Sequence, residues 1–251
     1  AARRPRPASG ALALASAGRR RASRGLALGG SCAASLVTGA LAVHVLATGQ
    51  GVSGELLRHS ASGFSFGFTI DPLAAWFLLV LALIDIPIGV YSVAYLGHGT
   101  LGRRSTFTSV GFSVLVGVVG LVFAADGVIG FLFAWELMAL VNAALVTTGH
   151  ERRETRPAGF LYLAMSHVAT GCLIGGFLIL AGAASSVSFD RLLVGNVLPP
   201  GPARTTTFLL FLAGFGVKAG MIPLHVWLPE AHPAAPSSIS ALMCGVIIKT
   251  G

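Results

Sequence analysis

Charged residues are scarce in this chain. They make up 10% of its 251 residues, while 54% are hydrophobic and the mean hydropathy is +0.81. Soluble domains carry about 25% charged residues, because their surfaces face water. The composition therefore excludes an ordinary soluble domain. It predicts an integral membrane protein whose surroundings are a lipid bilayer.

The basic residues do not form a surface suited to nucleic acid. The formal net charge is +8, but seven of the 17 basic residues lie within the first 24 positions. No basic face interleaved with aromatic residues follows them, so we predict no nucleic-acid partner. Residues 1–25 are predicted to be a disordered, arginine-rich cytoplasmic tail that sets the topology of the chain.

Cysteine is also rare, and its three residues stand apart. Cys32, Cys172 and Cys244 each lie in an apolar run, so the sequence has no CxxC pair, no zinc pattern and no ligand set for an iron–sulfur cluster. The GFG triplet at 214–216 also lies in an apolar run and does not follow a βα unit, which argues against phosphate binding. We predict no metal site and no other cofactor in this chain.

Long apolar runs are abundant. A helix needs about 20 apolar residues to cross a hydrocarbon core of ~30 Å. The pattern predicts an all-α polytopic bundle over residues 26–251, with six full spans and an incomplete seventh that begins near residue 236. We expect the sequence to be a fragment truncated at its C-terminus. The six full runs cover 26–48, 71–96, 106–124, 127–149, 158–184 and 205–228.

The arginines between these runs predict the orientation. Arg103 and Arg104 follow the second run, and three more arginines follow the fourth at positions 152, 153 and 156. By the positive-inside rule, the N-terminus is cytoplasmic and the protein is a multi-pass protein of the cell inner (plasma) membrane. In an alternative interpretation the tail and the first run form a secretory signal, but no small-residue cleavage site after Gly49 supports it.

The only two lysines, Lys218 and Lys249, both lie inside apolar runs. A charge at the bilayer centre costs roughly 2.5–3.5 kcal/mol and persists where it faces a bundle interior, a partner charge or an ion path. Lysine, unlike arginine, can lose its proton when it is desolvated. Glu136 lies about as deep in its run as Lys218 does, so we predict an ion pair whose separation moves a proton. The alternative is a static pair that only holds two helices together.

Prolines and histidines extend this candidate site. Pro223 comes five residues after Lys218 and predicts a broken helix, since proline removes a backbone donor and clashes with the preceding turn. Such breaks in membranes line polar cavities and build ion sites. His167 in mid-run, and His225 and His232 near the break, are candidates for a proton relay, because neutral imidazole both donates and accepts. Each histidine is equally compatible with a structural role.

Asp85 is an unexplained charge. It lies in the middle of the second run beside Pro87, and the sequence suggests no partner for it.

The segment 214–237, GFGVKAGMIPLHVWLPEAHPAAPS, resembles the signature of the antiporter-like, proton-conducting membrane subunits. These occur in respiratory complex I, Mrp cation/proton antiporters and membrane-bound hydrogenases, and the resemblance extends in particular to the hydrogenase-4 component B and formate hydrogenlyase type. It implies that a glutamate, a lysine on a broken helix and a further lysine form the proton path, at the positions of Glu136, Lys218 and Lys249.

The resemblance also implies an architecture and partners. Family members have about fourteen helices in two inverted five-helix repeats, so this chain would carry the second to the eighth helix and the first repeat. Redox chemistry would lie in other subunits of a respiratory or hydrogenase complex. The leading hypothesis is a proton-translocating subunit of a redox-driven complex. The alternatives are a secondary antiporter exchanging protons with Na⁺ or K⁺, and a structural membrane anchor.

Overall fold

A computed structural model describes residues 7–59, 64–98, 103–149, 151, 153–192 and 197–251. Long helices dominate it, and the elements follow one another as α1 Pro7–Thr48, β1 Val52–His59, β2 Phe64–Ile70, α2 Pro72–His98, α3 Arg103–Ala124, α4 Val128–Val146, α5 Thr155–Ala184, α6 Phe189–Leu192, α7 Pro202–Ala219, α8 Leu228–Ala234 and α9 Ser237–Gly245. Short 3₁₀ turns follow α4 at Thr147–Gly149 and α9 at Ile247–Thr250.

Within the described residues, five helical segments are long and apolar enough to cross a membrane, namely Ala22–Thr48, Pro72–Val93, Arg104–Ala124, Val128–Gly149 and Thr155–Ala184. They coincide with the first five predicted runs, which confirms the polytopic helical bundle. The sixth predicted run, 205–228, differs, because α7 ends at Ala219 and turns occupy the rest of the run up to the start of α8 at Leu228. The shorter α9 ends at Gly245, and the predicted seventh helix continues beyond it only as a 3₁₀ turn.

The predicted disordered tail is largely helical in the structure, because α1 begins at Pro7. Alanine, leucine and arginine, which fill this segment, are strong helix formers. Extending an existing helix also avoids the cost of nucleation, since each added residue gains one hydrogen bond. Residues 1–6, and the side chains up to residue 21, lie outside the described part of the chain.

A β-hairpin between α1 and α2 adds two short strands to the predicted helical bundle. Strands β1 and β2 are antiparallel, with Val52 opposite Ile70 and Glu55 opposite Gly67. Its second strand reads FSFGFTI, an alternation of period two that fits a half-buried strand. Single bridges from Phe68 to Ala125 and from Gly127 to Ser188 bring the later connections to the same place. We call this the hairpin end of the bundle.

The opposite end gathers the arginine-bearing connections. Arg24 of α1 donates a hydrogen bond to the Ser105 hydroxyl at 2.7 Å, and Arg104 forms an exposed ion pair with Glu151. A cavity of about 550 Å³ at this end is lined by Arg104, Glu151 and the connection between α8 and α9. We call this the arginine end. The connections therefore alternate between two ends, as the predicted spans require.

Aromatic packing at the bundle centre holds α4, α5 and α7 together. The Phe131 ring of α4 lies 5.4 Å from Trp135, 5.9 Å from Phe177 of α5 and 6.2 Å from Phe215 of α7, measured between ring centroids. Such edge-on and tilted contacts between rings stabilise a core beyond the area that they bury. The last turn of α7 is thereby fixed against α4 and α5.

Candidate functional site

Local residues determine where α7 ends. Gly220 adopts the left-handed conformation, with φ 72° and ψ 33°, which glycine reaches without steric cost. The Met221 and Gly220 amides donate to the carbonyls of Gly216 at 2.9 Å and Val217 at 3.2 Å, as in a Schellman motif. The Trp227 indole also donates to the Val217 carbonyl at 2.7 Å. The predicted break near Pro223 is confirmed, and it occupies the turns between α7 and α8.

Lys218 lies in the last turn of α7 and is 1% exposed. Its ammonium donates a hydrogen bond to the Tyr162 hydroxyl of α5 at 2.9 Å. The ammonium nitrogen also lies 5.0 Å from the Tyr162 ring centroid and 5.6 Å from that of Trp135, within cation–π range. The carbonyl end of a helix dipole further favours a cation here. We call Lys218, Tyr162 and Trp135 the lysine pocket.

Glu136 belongs to a different cluster. Its two carboxylate oxygens contact the Thr170 hydroxyl at 2.8 Å and His167 Nε2 at 3.2 Å, both on α5. We call Glu136, His167 and Thr170 the acid–base cluster. Its side chains are only partly covered by the chain, with relative exposures of 28% for Glu136 and 54% for His167.

The predicted ion pair between Glu136 and Lys218 is therefore not formed in this conformation. Within the described residues, no carboxylate oxygen lies within 4.0 Å of the Lys218 ammonium. The reason is helical geometry, since consecutive residues on a helix point about 100° apart. Trp135 faces the lysine pocket, so the next residue, Glu136, turns away toward α5. Equal depth in the membrane did not place the two charges on the same face.

Hydrogen bonding assigns one hydrogen of the His167 ring. His167 Nδ1 lies 2.9 Å from the Leu163 carbonyl, which only accepts, so Nδ1 carries a hydrogen. Nε2 is then the ring nitrogen that faces Glu136, at 3.2 Å from the carboxylate oxygen. At this distance the two side chains form an ion pair whenever the ring is protonated and the carboxyl is ionised.

Of the two histidines near the break, His225 lies in the turns before α8 and His232 lies within α8. His232 contacts the Ser240 hydroxyl of α9, 3.0 Å from Nδ1. His225 has a buried Nδ1 without a hydrogen-bond partner in the described part of the chain. Neither ring is joined by a described hydrogen bond to Lys218 or Glu136.

Lys249 lies in the 3₁₀ turn after α9, and its side chain is exposed. The turn itself packs beside the lysine pocket, because a methyl group at Gly251 would lie 3.1 Å from Lys218 Cβ. The backbone that carries Lys249 therefore lies close to Lys218, while the Lys249 side chain is exposed at the surface. Across the described residues, no group of three or more His, Cys, Asp or Glu side chains could hold a metal ion.

The sequence did not indicate several polar partners of the charged residues. Nothing in the sequence distinguishes Tyr162 and Thr170 from other helix residues, and their contacts form only when α4, α5 and α7 pack together. Asp85 has partners after all, since Ser31 and Ser35 of α1 donate hydrogen bonds to its buried carboxylate. A spacing of four residues puts both serines on one face of α1, and this is the only sequence signal that pointed to them.

Sequence relatives support the membrane-subunit interpretation. The chain is 38% identical over 182 residues to an uncharacterized protein of Mycobacterium tuberculosis. This aligned region covers 72% of this chain and 27% of that protein. The chain is 33% identical over 199 residues to hydrogenase-4 component B of Escherichia coli, covering 78% and 29%. It is 26% identical over 184 residues to NADH-quinone oxidoreductase subunit N of Rubrobacter xylanophilus, covering 73% and 38%. The chain thus spans well under half the length of these curated relatives.

Solved structures share the fold. The Mrp complex from Dietzia sp. contains a chain that superposes with a TM-score of 0.73 at 23% identity, over 96% of this chain and 45% of that one. A chain of the membrane-bound sulfane sulfur reductase, an archaeal respiratory membrane complex, gives a TM-score of 0.73 at 19% identity, over 96% and 50%.

The family pattern covers the part of the chain that carries the site. The family described as NADH:quinone oxidoreductase/Mrp antiporter, TM matches residues 125–251. This range contains the acid–base cluster, the lysine pocket and the broken segment. With half of its length matched, the chain belongs to the NADH:quinone oxidoreductase/Mrp antiporter family of membrane subunits.

Proposed function

We propose that this chain translocates protons as part of a membrane subunit of a redox-driven complex, of the NADH:quinone oxidoreductase or hydrogenase kind. The observation that supports this most is the acid–base cluster, in which Glu136 and His167 lie within ion-pair distance of each other at mid-span. Trp135, the residue before Glu136 on α4, contacts the buried Lys218 of α7, which has no carboxylate partner among the described residues.

The acid–base cluster can load and release a proton with small movements. The Thr170 hydroxyl has one hydrogen and two acceptors within reach, Glu136 at 2.8 Å and the Ser166 carbonyl at 3.0 Å. It donates to Glu136 when the carboxylate is charged, and it can turn to Ser166 when the carboxyl is protonated. The cluster therefore keeps its hydrogen bonds in both protonation states, as a relay group requires.

Lys218 is suited to the next step. Aromatic faces, one hydroxyl and a helix terminus stabilise its ammonium without fixing it to a counter-charge. A displacement of α7 toward α4 would bring the ammonium within reach of Glu136. Coulomb attraction at ~4 Å amounts to about 4 kcal/mol at an effective dielectric constant of 20. Pair formation and separation would then drive proton release and uptake.

The broken segment, the turns between α7 and α8, can accommodate this movement. The last turn of α7 ends at Gly220, and the turns up to Trp227 join it to α8. Chain breaks of this kind absorb displacements that a continuous helix would transmit. We propose that His225, His232 and Lys249 carry the proton onward from Lys218, and that the exposed Lys249 side chain meets a further part of the subunit.

Partners and location follow from the same proposal. Glu136 and His167 face out of the described bundle at mid-span, where contact with lipid would be costly. We propose that another membrane subunit of the complex covers them. We also propose that the arginine end is cytoplasmic, in the cell inner (plasma) membrane. Labelling of Glu151→Cys from the outside of intact cells would contradict this orientation.

The test uses the complete subunit in its membrane complex. Glu136→Gln and His167→Gln should each abolish most proton translocation in inverted vesicles, because each variant removes one of the two titratable groups between which the proposed relay passes a proton. Redox turnover, measured in parallel, should continue. Glu151→Gln is the matched control, since its exposed ion pair lies at the arginine end. Wild-type translocation by both cluster variants would contradict the proposal. Proton movement driven by a Na⁺ or K⁺ gradient without redox turnover would favour a secondary antiporter.

A further inference from the structure

Asp85 is a buried carboxylate that the relay does not use. It lies in the middle of α2 and is 0% exposed. The Ser35 hydroxyl donates to Oδ2 at 2.7 Å, and the Ser31 hydroxyl lies 3.0 Å from Oδ2 and 3.2 Å from Oδ1. Within the described residues, no lysine, arginine or histidine nitrogen forms an ion pair with it.

The surroundings of Asp85 leave its charge uncompensated. Cys32 of α1 is the titratable neighbour on the facing helix, and its thiol contacts the Ile86 carbonyl at 3.9 Å. Arg24 lies two turns before Ser31 on α1 and bonds to Ser105 instead. From α9, the neighbour is the backbone of Gly245, which packs on Ile84. A buried carboxylate without a cation neutralises itself by taking up a proton, because the ionised form is too costly.

A cavity connects this carboxylate to the hairpin end. It measures about 330 Å³, and Ser31, Ser35 and Thr38 line it along one face of α1. Ser113 of α3 adds a fourth hydroxyl, and Leu56 and Phe68 of the hairpin line the cavity at the hairpin end. The rest of the lining is apolar or glycine, so water molecules in this volume would follow the four hydroxyls, which can bind them. Asp85 does not line the cavity itself, but both of its serine partners do.

We propose that Asp85 is a second proton-binding site, separate from the acid–base cluster and the lysine pocket, which exchanges protons with the hairpin end through this cavity. In uptake, a hydronium ion in the cavity gives a proton to the Ser35 oxygen while the Ser35 hydroxyl hydrogen passes to the Asp85 carboxylate. A water molecule and a neutral carboxyl remain. Release follows the same path in reverse.

The distances favour a proton over a metal ion. Hydroxyl and carboxylate oxygens at 2.7–3.0 Å are joined by hydrogen bonds. A bound cation would instead lie between oxygen lone pairs and hold the oxygens further apart. Two hydroxyls at these distances leave the carboxylate in a hydrogen-bonded arrangement that suits a proton.

The test is infrared spectroscopy of the purified full-length protein in lipid, recorded as the pH is changed. A protonated carboxyl has a C=O band that a carboxylate lacks. We expect such a band in wild type, its loss in Asp85→Asn and its persistence in Asp71→Asn. Asp71 is a matched control, because its carboxylate caps the start of the same helix, accepting from the Ala74 amide at 2.7 Å, and asparagine caps equally well.

Ser35→Ala keeps the test valid if Asp85→Asn fails to fold. It retains the acid and removes its shortest hydrogen bond, so the band should shift in frequency. An Asp85→Asn spectrum identical to that of wild type would overturn the proposal. So would a wild-type band that disappears on adding Na⁺ at constant pH and ionic strength. Because the difference between the wild-type and Asp85→Asn spectra isolates the Asp85 carboxyl from the other carboxyls, this result is independent of the outcome of the translocation assay.

The cavity route has its own measurement. In D₂O, the band should shift as the carboxyl proton exchanges, and Thr38→Val should slow this shift by removing a hydroxyl from the cavity wall. Thr48→Val is the control, since Thr48 lies at the exposed end of α1 and donates to the His44 carbonyl. Equal exchange rates in wild type and Thr38→Val would overturn the route through the cavity.

Discussion

The contact between α5 and α7 offers the sharpest test of how the fold positions Lys218. A Cβ atom at Gly214 would lie 2.7 Å from Leu173 Cγ and 3.0 Å from the Ala169 carbonyl oxygen. Relaxed carbon contacts need about 3.5–4.0 Å. Because the carbonyl is backbone, Gly214→Ala must push α5 and α7 apart by roughly 0.5–1 Å, the difference between these distances.

The displacement reaches the lysine pocket directly. Lys218 lies one turn beyond Gly214 on α7, and its 2.9 Å hydrogen bond to Tyr162 crosses the same helix contact. Stretching that bond by the same amount takes it to about 3.5 Å or more, beyond hydrogen-bond range. Overpacking costs about 1–3 kcal/mol, offset by up to ~1 kcal/mol from replacing a helical glycine. We expect a net loss of stability together with impaired translocation.

Gly171→Ala is the matched control on α5. A Cβ there would meet nothing within 4 Å, so only the gain in helix propensity remains. Thermal unfolding of the full-length protein and proton translocation in vesicles would be measured for both variants. If Gly214→Ala raised the unfolding midpoint as Gly171→Ala does, and translocated at the wild-type rate, the link between this contact and the lysine pocket would be refuted.

Three further predictions concern single side chains. Tyr162→Phe should remove about 1.5–3 kcal/mol of hydrogen bonding to the Lys218 ammonium and slow translocation about tenfold or more; an unchanged rate in vesicles would show that the hydroxyl is dispensable. Lys249→Met should stop translocation while the complex still assembles, and Lys249→Arg should not restore it, because arginine keeps its proton; full pumping by the methionine variant would make Lys249 structural. Burial raises the pKa of the Asp126 carboxyl, and the charges of Asp190 and Glu55 raise it further. The ionised form therefore destabilises the fold, so stability falls as pH rises from the ordinary carboxyl pKa through the raised one. Asp126→Asn should melt higher than wild type at neutral pH, with the difference vanishing in acid; equal midpoints at neutral pH would contradict this.

Composition and apolar run length predicted most of the architecture. The five long helices appear where the runs predicted them, since a span of about 20 apolar residues has few other stable conformations in a membrane. The break after Lys218 was also readable, because Gly220 and Pro223 act on the backbone locally. These features depend on short-range chemistry, which a sequence displays directly.

Side-chain partners were less predictable. A Cβ at Gly171 would meet nothing within 4 Å, while Gly214 and Gly176 make close contacts between α5 and α7. Which face of a helix meets a neighbour depends on the rotation of both helices, and a uniformly apolar span gives little sign of it. For the same reason, Asp85 remained without a partner until α1 was placed against α2.

The sequence by itself determined that the chain is a membrane bundle with a broken helix and two lysines in apolar surroundings, because hydrophobicity and backbone chemistry act along the chain. Only the tertiary structure decided which partners each charged side chain contacts. It placed Trp135 between Lys218 and Glu136, gave Glu136 to His167 and Thr170, and enclosed Asp85 between two serines. Helix rotation sets these contacts, since neighbouring residues on one helix point in different directions and meet different partners.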